Sequence, residues 1–225
     1  GSGSQRTIYG RWNNLKIGRG IVQNGSYVNA NAVVGGISGS TGSSSNLTNY
    51  TLRIESGIYN ALGGTTGNSG SNIYVNAKIK YGNDYDRINN NNDLLEVVGC
   101  ASGSWAGNIY SKNNTTIAVD TLIKSGKFGS NKYDYATGVY VGGRNAGTFY
   151  APRRLIVEGG YIYNVVGGPL TAASQQNYND TYIYQKGGYI DIVIGGAGRT
   201  ETYGNRIIGI TGGIVGYSVF GGSNG

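Results

Sequence analysis

The stretch LIVEGGYIYNVVGG, from Leu155 to Gly168, contains the pattern on which the fold depends. Two short apolar runs are each closed by glycine, the first at Gly160 and the second at Gly167. Similar stretches are LRIESGIYNALGG at 52–64, IYQKGGYIDIVIGG at 183–196 and IIGITGGIVGYSVFGG at 207–222. Repetition of one short unit is typical of a solenoid, in which each unit buries its apolar face against its neighbours.

Seven copies, called units one to seven in chain order, align on the glycine that closes the first run. These glycines are Gly20, Gly57, Gly82, Gly126, Gly160, Gly188 and Gly213. The residue three before the glycine is Ile or Val in every unit except the sixth, which has Gln185. Side chains two apart in a strand point the same way, so the residues three and five before the glycine share one face. We predict that both columns line the interior.

The second run also ends at a repeated glycine, and the residue before it is apolar in all seven units. Those residues are Val34, Leu62, Val98, Val141, Val166, Ile194 and Phe220. Glycine at such corners allows positive φ where the chain bends sharply, and we expect insertions to be tolerated there because only the strands stack. The structural turn glycines predicted in the clearest units are Gly57, Gly63, Gly160, Gly167, Gly188, Gly195, Gly213 and Gly221.

Composition favours strands over helices. The 225 residues include 42 Gly and only 38% hydrophobic residues, with short runs rich in Tyr, Ile and Val. No apolar period of 3.6 residues is sustained. We therefore predict an all-β chain with almost no α-helix: a parallel β-solenoid of about seven coils with loop insertions. Residues 1–13 are predicted to be an N-terminal segment or edge strand, and residues 14–225 a single solenoid domain.

Charged residues recur two positions before the first glycine. Stacking the units in order would place Glu55 beside Lys80, and Glu158 between Lys124 and Lys186. Neighbouring strands are about 4.8 Å apart, so these charges come within pairing distance. We interpret them as a solvated ladder worth less than about 1 kcal/mol per pair, not as catalytic groups.

Longer intervals between units indicate insertions, at 25–31, 83–94, 101–120 and 127–138. Inserted loops are the usual binding elements of a repeat protein. Trp105, Tyr85, Tyr133 and Tyr135 lie in these segments and are the candidate contacts to a glycan or a partner. Tyrosine in such loops is also common in ordinary packing and in contacts between subunits.

The sequence offers few residues suited to catalysis or metal binding. The chain has no His, which excludes a Ser/His/Asp or Cys/His centre, and no pair of carboxylates is marked out for glycoside hydrolysis. The acidic residues Asp84, Asp86 and Asp93 do not have the spacing of a calcium loop. We predict no enzyme activity, no catalytic residue, no metal site and no cofactor.

Charge and apolar content bear on partners and location. The net charge is +7, but the basic residues are spread out and form no stripe for nucleic acid. No run approaches the roughly 18 apolar residues that span a bilayer. One cysteine and six N-glycosylation sequons suit a protein outside the cell. We expect no nucleic acid partner, no membrane span, and an extracellular or cell-surface location.

The cadence Gly-Gly-x-Ile-x-x-Val-x-Gly-Gly in GGYIYNVVGG and GGYIDIVIGG resembles the repeats of adhesin-like bacterial surface proteins and autotransporter passengers. The resemblance extends over residues 14–222. It implies a right-handed parallel β-helix, export from the cell, and work in adhesion, surface coating or matrix building.

Two functions remain open from the sequence. The first is an extracellular structural or adhesive solenoid that stacks head to tail with itself, or adjoins other parts of a larger surface protein, because uncapped sheet edges invite pairing. The second is a glycan-binding or glycan-cleaving β-helix that uses surface glycans and the inserted loops, as tailspikes and lyases do.

Overall fold

The structure is a computed structural model. It describes the strands between residues 13 and 111 by their backbone. Residues 78–81, 110–111, 115–129, 131, 138–142, 150–168, 178–196 and 202–222 are described with their side chains. Within these ranges the secondary structure is made of strands and contains no helix, so the predicted all-β class is confirmed for the described part of the chain.

The first run of each unit forms one strand of a seven-stranded parallel sheet, called the first sheet. Strands from consecutive units are hydrogen-bonded neighbours throughout, so sequence order is also spatial order. The strands are β1 (Asn13–Arg19), β6 (Tyr50–Ser56), β10 (Ala77–Tyr81), β14 (Val119–Ile123), β17 (Arg153–Val157), β19 (Thr181–Gln185) and β21 (Arg206–Ile210).

The second run of each unit forms a second parallel sheet with the same order. One unit contributes two short strands to it, β15 and β16, both of which pair with β18. The strands are β4 (Val33–Val34), β7 (Asn60–Leu62), β11 (Glu96–Val98), β15 (Lys127–Phe128), β16 (Gly138–Tyr140), β18 (Tyr161–Val166), β20 (Tyr189–Ile194) and β22 (Ile214–Phe220).

Shorter strands lie in the segments that return from the second sheet to the first. A parallel three-stranded sheet contains β5 (Ser44–Asn46), β9 (Ser71–Val75) and β13 (Ala106–Ser111), and β8 (Thr65–Thr66) pairs with β12 (Ala101–Ser102). The first predicted insertion overlaps an antiparallel hairpin of β2 (Ile21–Gln23) and β3 (Ser26–Val28). Much of the predicted insertion at 101–120 is thus a third strand pairing with the unit before it.

The register of the first sheet agrees with the predicted columns in six units and differs in the third. Leu52 pairs with Ile79, and Tyr81 pairs with Ile123, whereas alignment on Gly82 predicted Ile79 beside Ile123. A shift of two residues keeps the same side chains inside, so the apolar pattern does not distinguish the two registers. The predicted pair of Glu55 and Lys80 is wrong for the same reason, because Lys80 lies in register with Arg53.

Tyr81 takes the interior place because the next unit leaves room for its ring. It is fully buried and meets Phe128 edge to face, with ring centroids 4.8 Å apart. A Cβ at Gly126 would lie only 2.4 Å from Cε1 of Tyr81. The glycine of unit four therefore admits an aromatic ring from unit three.

The fourth unit also departs from the predicted column at the end of the second run. Tyr140, not Val141, pairs with Val166. The backbone N–H of Val141 donates to Val166 O at 2.9 Å, as Gly167 does to Ile194 O at 2.8 Å in the next unit. Val141 thus occupies the place that glycine holds in later units, and both Tyr140 and Val141 are buried.

The core lies between the two sheets. The first sheet contributes alternate residues such as Leu155, Val157 and Ile183. From β18 the core receives Ile162 and Val165, which are three residues apart and could not face the same side of a straight strand. The strand β18 is therefore bent after Ile162.

The insertion of unit four lies at this bend and not at a glycine corner. β15 pairs with the beginning of β18 and β16 with its end, so the insertion falls between two strands that pair on either side of the bend in β18. The expectation that this insertion sits at a corner is therefore corrected. Parallel pairing with β18 is present on both sides of the insertion.

Candidate functional site

The residues predicted to contact a glycan or a partner, Trp105, Tyr85, Tyr133 and Tyr135, lie outside the described residues. The same holds for the turn glycines Gly57 and Gly63. The chain leading to Tyr133 and Tyr135 starts from β15 and returns at β16, both of which belong to the bend described above.

At the first corner, the three later glycines have a backbone conformation that other residues rarely adopt. The φ angles are 95° at Gly160, 73° at Gly188 and 80° at Gly213. An added Cβ at Gly188 would also lie 2.7 Å from Gly160 O. Both the turn and the stacking of one corner on the next therefore require glycine.

At the second corner, glycine is required by close approach, and φ is not in the left-handed region. A Cβ at Gly167 would lie 2.1 Å from Gly195 O, and one at Gly195 would lie 2.8 Å from Gly221 O. Gly221, in the last unit, would meet nothing within 4 Å. The expectation of positive φ does not describe this corner, where the backbone of each unit lies directly against the next.

Two arginines connect the start of the first strand to the end of the second strand within one unit. Arg153 is fully buried, and its Nε–H donates to Gly167 O at 2.9 Å. Its Nη1 donates to Ala151 O and Tyr178 O at 3.0 and 3.1 Å. Burial lowers the pKa of Arg153 to about 9, partly offset by the negative charge of Asp180.

Arg206 repeats this arrangement in the last unit. Its Nε–H donates to Gly221 O at 3.1 Å and its Nη1 donates to Thr202 O at 3.0 Å. Arg153 and Arg206 both stand seven residues before the first glycine of their units, with Thr181 between them in register. Neither arginine was predicted to have this role, although their shared spacing from the first glycine is visible in the sequence.

Outward-facing charges of the first sheet pair between units. Arg154 donates from Nε and Nη2 to the two carboxylate oxygens of Asp120, at 2.9 and 2.7 Å. This hydrogen bonding raises the pKa of Arg154. Lys124 Nζ lies 3.4 Å from Glu158 Oε2, which confirms the predicted contact of Glu158 with the unit before it.

A ladder of four tyrosines runs across the return segments. The rings of Tyr110, Tyr150, Tyr178 and Tyr203 stack with centroids 5.0, 5.1 and 4.8 Å apart and interplanar angles of 3°, 12° and 12°. The last three tyrosines each stand ten residues before the first glycine of their unit. This shared spacing is the signal in the sequence that identifies these three tyrosines as one column.

A second stack lies at the bend of the second sheet. Tyr161 and Tyr189 have ring centroids 4.6 Å apart at 13°, and Tyr163 meets Tyr161 edge to face at 4.9 Å. The Tyr161 hydroxyl donates to Asp191 Oδ2 at 3.2 Å. Lys127 Nζ lies 5.5 Å from the centroid of Tyr163. Aromatic rings, a carboxylate and an ammonium group are thus gathered at one place.

The surroundings of this stack give its groups distinct properties. Asp191 is only 5% exposed, although it carries a carboxylate. Burial, together with the negative charge of Asp191, raises the pKa of Tyr161 well above its ordinary value. On the far side, the register shifts between Ile190 and Ile192, and a Cβ at Gly216 would lie only 1.8 Å from the Tyr189 hydroxyl oxygen. Glycine there leaves room for the phenol.

In the described part of the chain, interior positions become exposed in the last unit. Gln185 and Val193 of unit six are each 1% exposed, whereas Ile210 and Val219, their partners in register, are 44% and 45% exposed. Within the described residues, β21 and β22 each pair with a neighbour on one side. This open edge, formed by β21 and β22, combines apolar side chains with backbone groups available for pairing, and is the candidate functional surface.

The described residues contain no cluster of three or more acidic, histidine or cysteine side chains able to hold a metal ion. No helix among them is long and apolar enough to cross a membrane. In comparisons with family models, curated proteins and solved structures, no match to this chain was found.

Proposed function

We propose that this chain is an extracellular structural or adhesive protein, built as a right-handed β-solenoid, that assembles end to end into a filament. The ordered parallel sheets support one coil per unit. The hydrogen bonds of Arg153 to Gly167 and of Arg206 to Gly221 support closure of the coil in units five and seven, since each joins the first strand of its unit to the second corner. Adhesion and export rest on the resemblance of the Gly-Gly cadence to surface-protein repeats.

The open edge is the observation that carries the assembly proposal. Interior positions that are buried in unit six are nearly half exposed in unit seven, where Ile210 and Val219 occupy them. A sheet edge with exposed apolar residues is a template for another strand, and exposed apolar surface of this kind marks an interaction site.

The occupant we propose for this edge is a second copy of the chain, entering with its first unit. In the register of the sheets, Leu15 and Ile17 of β1 hold the columns of Ile208 and Ile210. Val34 of β4 likewise holds the column of Phe220. Continuing the same parallel register would set apolar residues against apolar residues across the joint, as occurs between units within one chain.

The experiment compares two changes on the same strand. Ile210→Lys puts a charge into the interior column of β21, whereas Ile207→Lys puts the same charge on its outer face. We expect wild type and Ile207→Lys to form fibres in negative-stain images and large species in sedimentation, and Ile210→Lys to remain a folded monomer because a buried lysine is costly.

A monodisperse wild-type monomer without fibres would overturn the filament. Adjoining parts of a longer surface protein would then be the remaining candidate to cover the edge. Equal assembly of the two lysine variants would instead show that fibres form through a surface other than the open edge.

A further inference from the structure

Tyr161 and Tyr189 are held together by the backbone as well as by their rings. Their Cα atoms are partners in the parallel register of β18 and β20, and the Tyr189 N–H donates to Gly160 O at 2.8 Å. The rings are 4.6 Å apart and 13° from parallel, the shortest centroid distance among the aromatic pairs described. Neither ring needs a change of backbone to meet the other.

Asp191 supplies the second observation. Its Oδ2 accepts the hydrogen bond of the Tyr161 hydroxyl at 3.2 Å, and the residue is nearly buried. A tyrosine phenol is protonated at neutral pH, and burial and the charge of Asp191 raise the pKa of Tyr161 further. Removal of an electron from a protonated phenol makes it strongly acidic, so a proton acceptor hydrogen-bonded to the hydroxyl speeds the oxidation, and the Asp191 carboxylate holds that position.

We propose that Tyr161 and Tyr189 are a site of oxidative cross-linking, in which a one-electron oxidant converts the stacked pair to dityrosine and Asp191 accepts the phenol proton of Tyr161. This site is independent of the open edge.

The reaction balances as a two-electron oxidation. Each phenol loses one electron to the oxidant and its hydroxyl proton, that of Tyr161 passing first to Asp191 Oδ2. The two radicals join through a carbon–carbon bond between ring positions ortho to the oxygens. The two ortho hydrogens then move to the oxygens and restore both phenols, so the product has lost two hydrogen atoms, as two protons and two electrons.

Such a bond would covalently join consecutive units. The chain has one cysteine, so no disulfide can form within it. A link from Tyr161 to Tyr189 would close a loop of 28 residues between units five and six, and closing a loop of that size restricts the unfolded chain and favours the folded one.

The test is oxidation of the folded protein by a ruthenium–bipyridyl complex and persulfate under visible light, followed by trypsin and mass spectrometry. Cleavage after Arg154, Lys186 and Arg199 places Tyr161 in peptide 155–186 and Tyr189 in peptide 187–199, which contains no other tyrosine. We expect these two peptides joined with a mass two hydrogens below their sum, and fragmentation to assign the bond to Tyr161.

The ladder provides a reference within the same sample. Tyr203 is the single tyrosine of peptide 200–206, and it stacks on Tyr178 of peptide 155–186. Tyr189→Phe keeps a ring in the stack and should abolish the first product while leaving the reference product. Asp191→Asn should slow the first product relative to the reference by about tenfold or more, the loss expected for a positioned base.

The proposal is overturned if peptide 187–199 is not linked, or is linked to a tyrosine other than Tyr161. An unchanged rate ratio in a folded Asp191→Asn variant would remove Asp191 from the reaction. If circular dichroism shows that this variant does not fold, Tyr161→Phe decides the pair, because it should eliminate the 155–186/187–199 product without affecting the reference.

Discussion

Units five and seven have nearly the same parts in different surroundings. Each starts its first strand with an arginine, Arg153 or Arg206, that donates to the carbonyl of its second-corner glycine. Unit five pairs with a neighbour on both sides, whereas among the described residues unit seven pairs on one side. Its interior positions are correspondingly exposed. At Ile210 and Val219 a little under half of the residue surface is exposed without a successor, so a unit obtains a large part of its burial from the unit that follows it. Equivalent substitutions in the two units therefore measure what stacking contributes.

The largest difference is expected at the second corner. Gly167→Ala would place a methyl group 2.1 Å from Gly195 O, a backbone atom that cannot rotate away. We expect a loss of about 3 kcal/mol or more in the free energy of unfolding, as for severe overpacking. Gly221→Ala meets no atom within 4 Å and should change the monomer by less than about 0.5 kcal/mol. Urea unfolding of monomeric fractions measures both values, and equal losses would contradict the close-approach explanation.

The arginines should give the next largest contrast. Arg153→Met removes the donor from two buried hydrogen bonds and one partly buried hydrogen bond to carbonyl groups, and we expect it to cost about 2–3 kcal/mol. Arg206→Met should cost about 1 kcal/mol or less, since water can reach the carbonyl of Gly221. Thermal unfolding followed by circular dichroism compares the two. If Arg153→Met left the free energy of unfolding unchanged, the removal of a buried charge would have offset the loss of the hydrogen bonds.

The third largest difference in stability is expected for shortening an interior side chain in unit six and its partner in unit seven. Val193→Ala removes two buried methyl groups and should destabilise the chain by about 2 kcal/mol. Val219→Ala, at the same column in the open unit, should cost less than about 1 kcal/mol in the monomer because the side chain is already 45% exposed. If the chain assembles through this edge, the cost of Val219→Ala should rise in the filament, which unfolding at increasing protein concentration would reveal.

The tyrosine ladder should show the smallest contrast. Tyr178 stacks on both Tyr150 and Tyr203, whereas Tyr203 stacks on Tyr178. Replacement of Tyr178 by Leu removes two ring contacts and should cost about 1 kcal/mol, and replacement of Tyr203 by Leu about half as much. Near-ultraviolet circular dichroism and urea unfolding together test this. A larger loss from Tyr203→Leu would show that its ring has a further partner.

The interior columns could be predicted where apolar residues at every second position are followed by a turn glycine. Leu155 and Val157, two apart and followed by Gly160, have one arrangement that buries both side chains and still turns at the glycine. The slip in unit three was not predictable in this way, since a register shifted by two buries the same face. Tyr81 is placed by the space above Gly126, which is a property of the neighbouring unit.

Other features depended on contacts that no single unit contains. The displacement of Val141 by Tyr140 follows from pairing with β18. The buried Arg153 was not predicted, because a charged side chain is ordinarily expected on the outer face and its three carbonyl acceptors lie at Ala151, Gly167 and Tyr178, far apart in the sequence. The contact of Asp191 with Tyr161 likewise depends on the lateral pairing of two strands, β18 and β20.

The division of the second strand in unit four has a consequence for engineering the chain. Residues 129–137 separate β15 from β16 in the sequence, and both strands are paired with β18. The corresponding place in unit five is Tyr163, next to the bend, where the side chain already points away from the core. A foreign peptide grafted there would be displayed outward at a fixed height along the stack, and grafts in successive units would be spaced by one strand separation, about 4.8 Å. The bend is therefore a scaffold position for presenting sequences in a regular row.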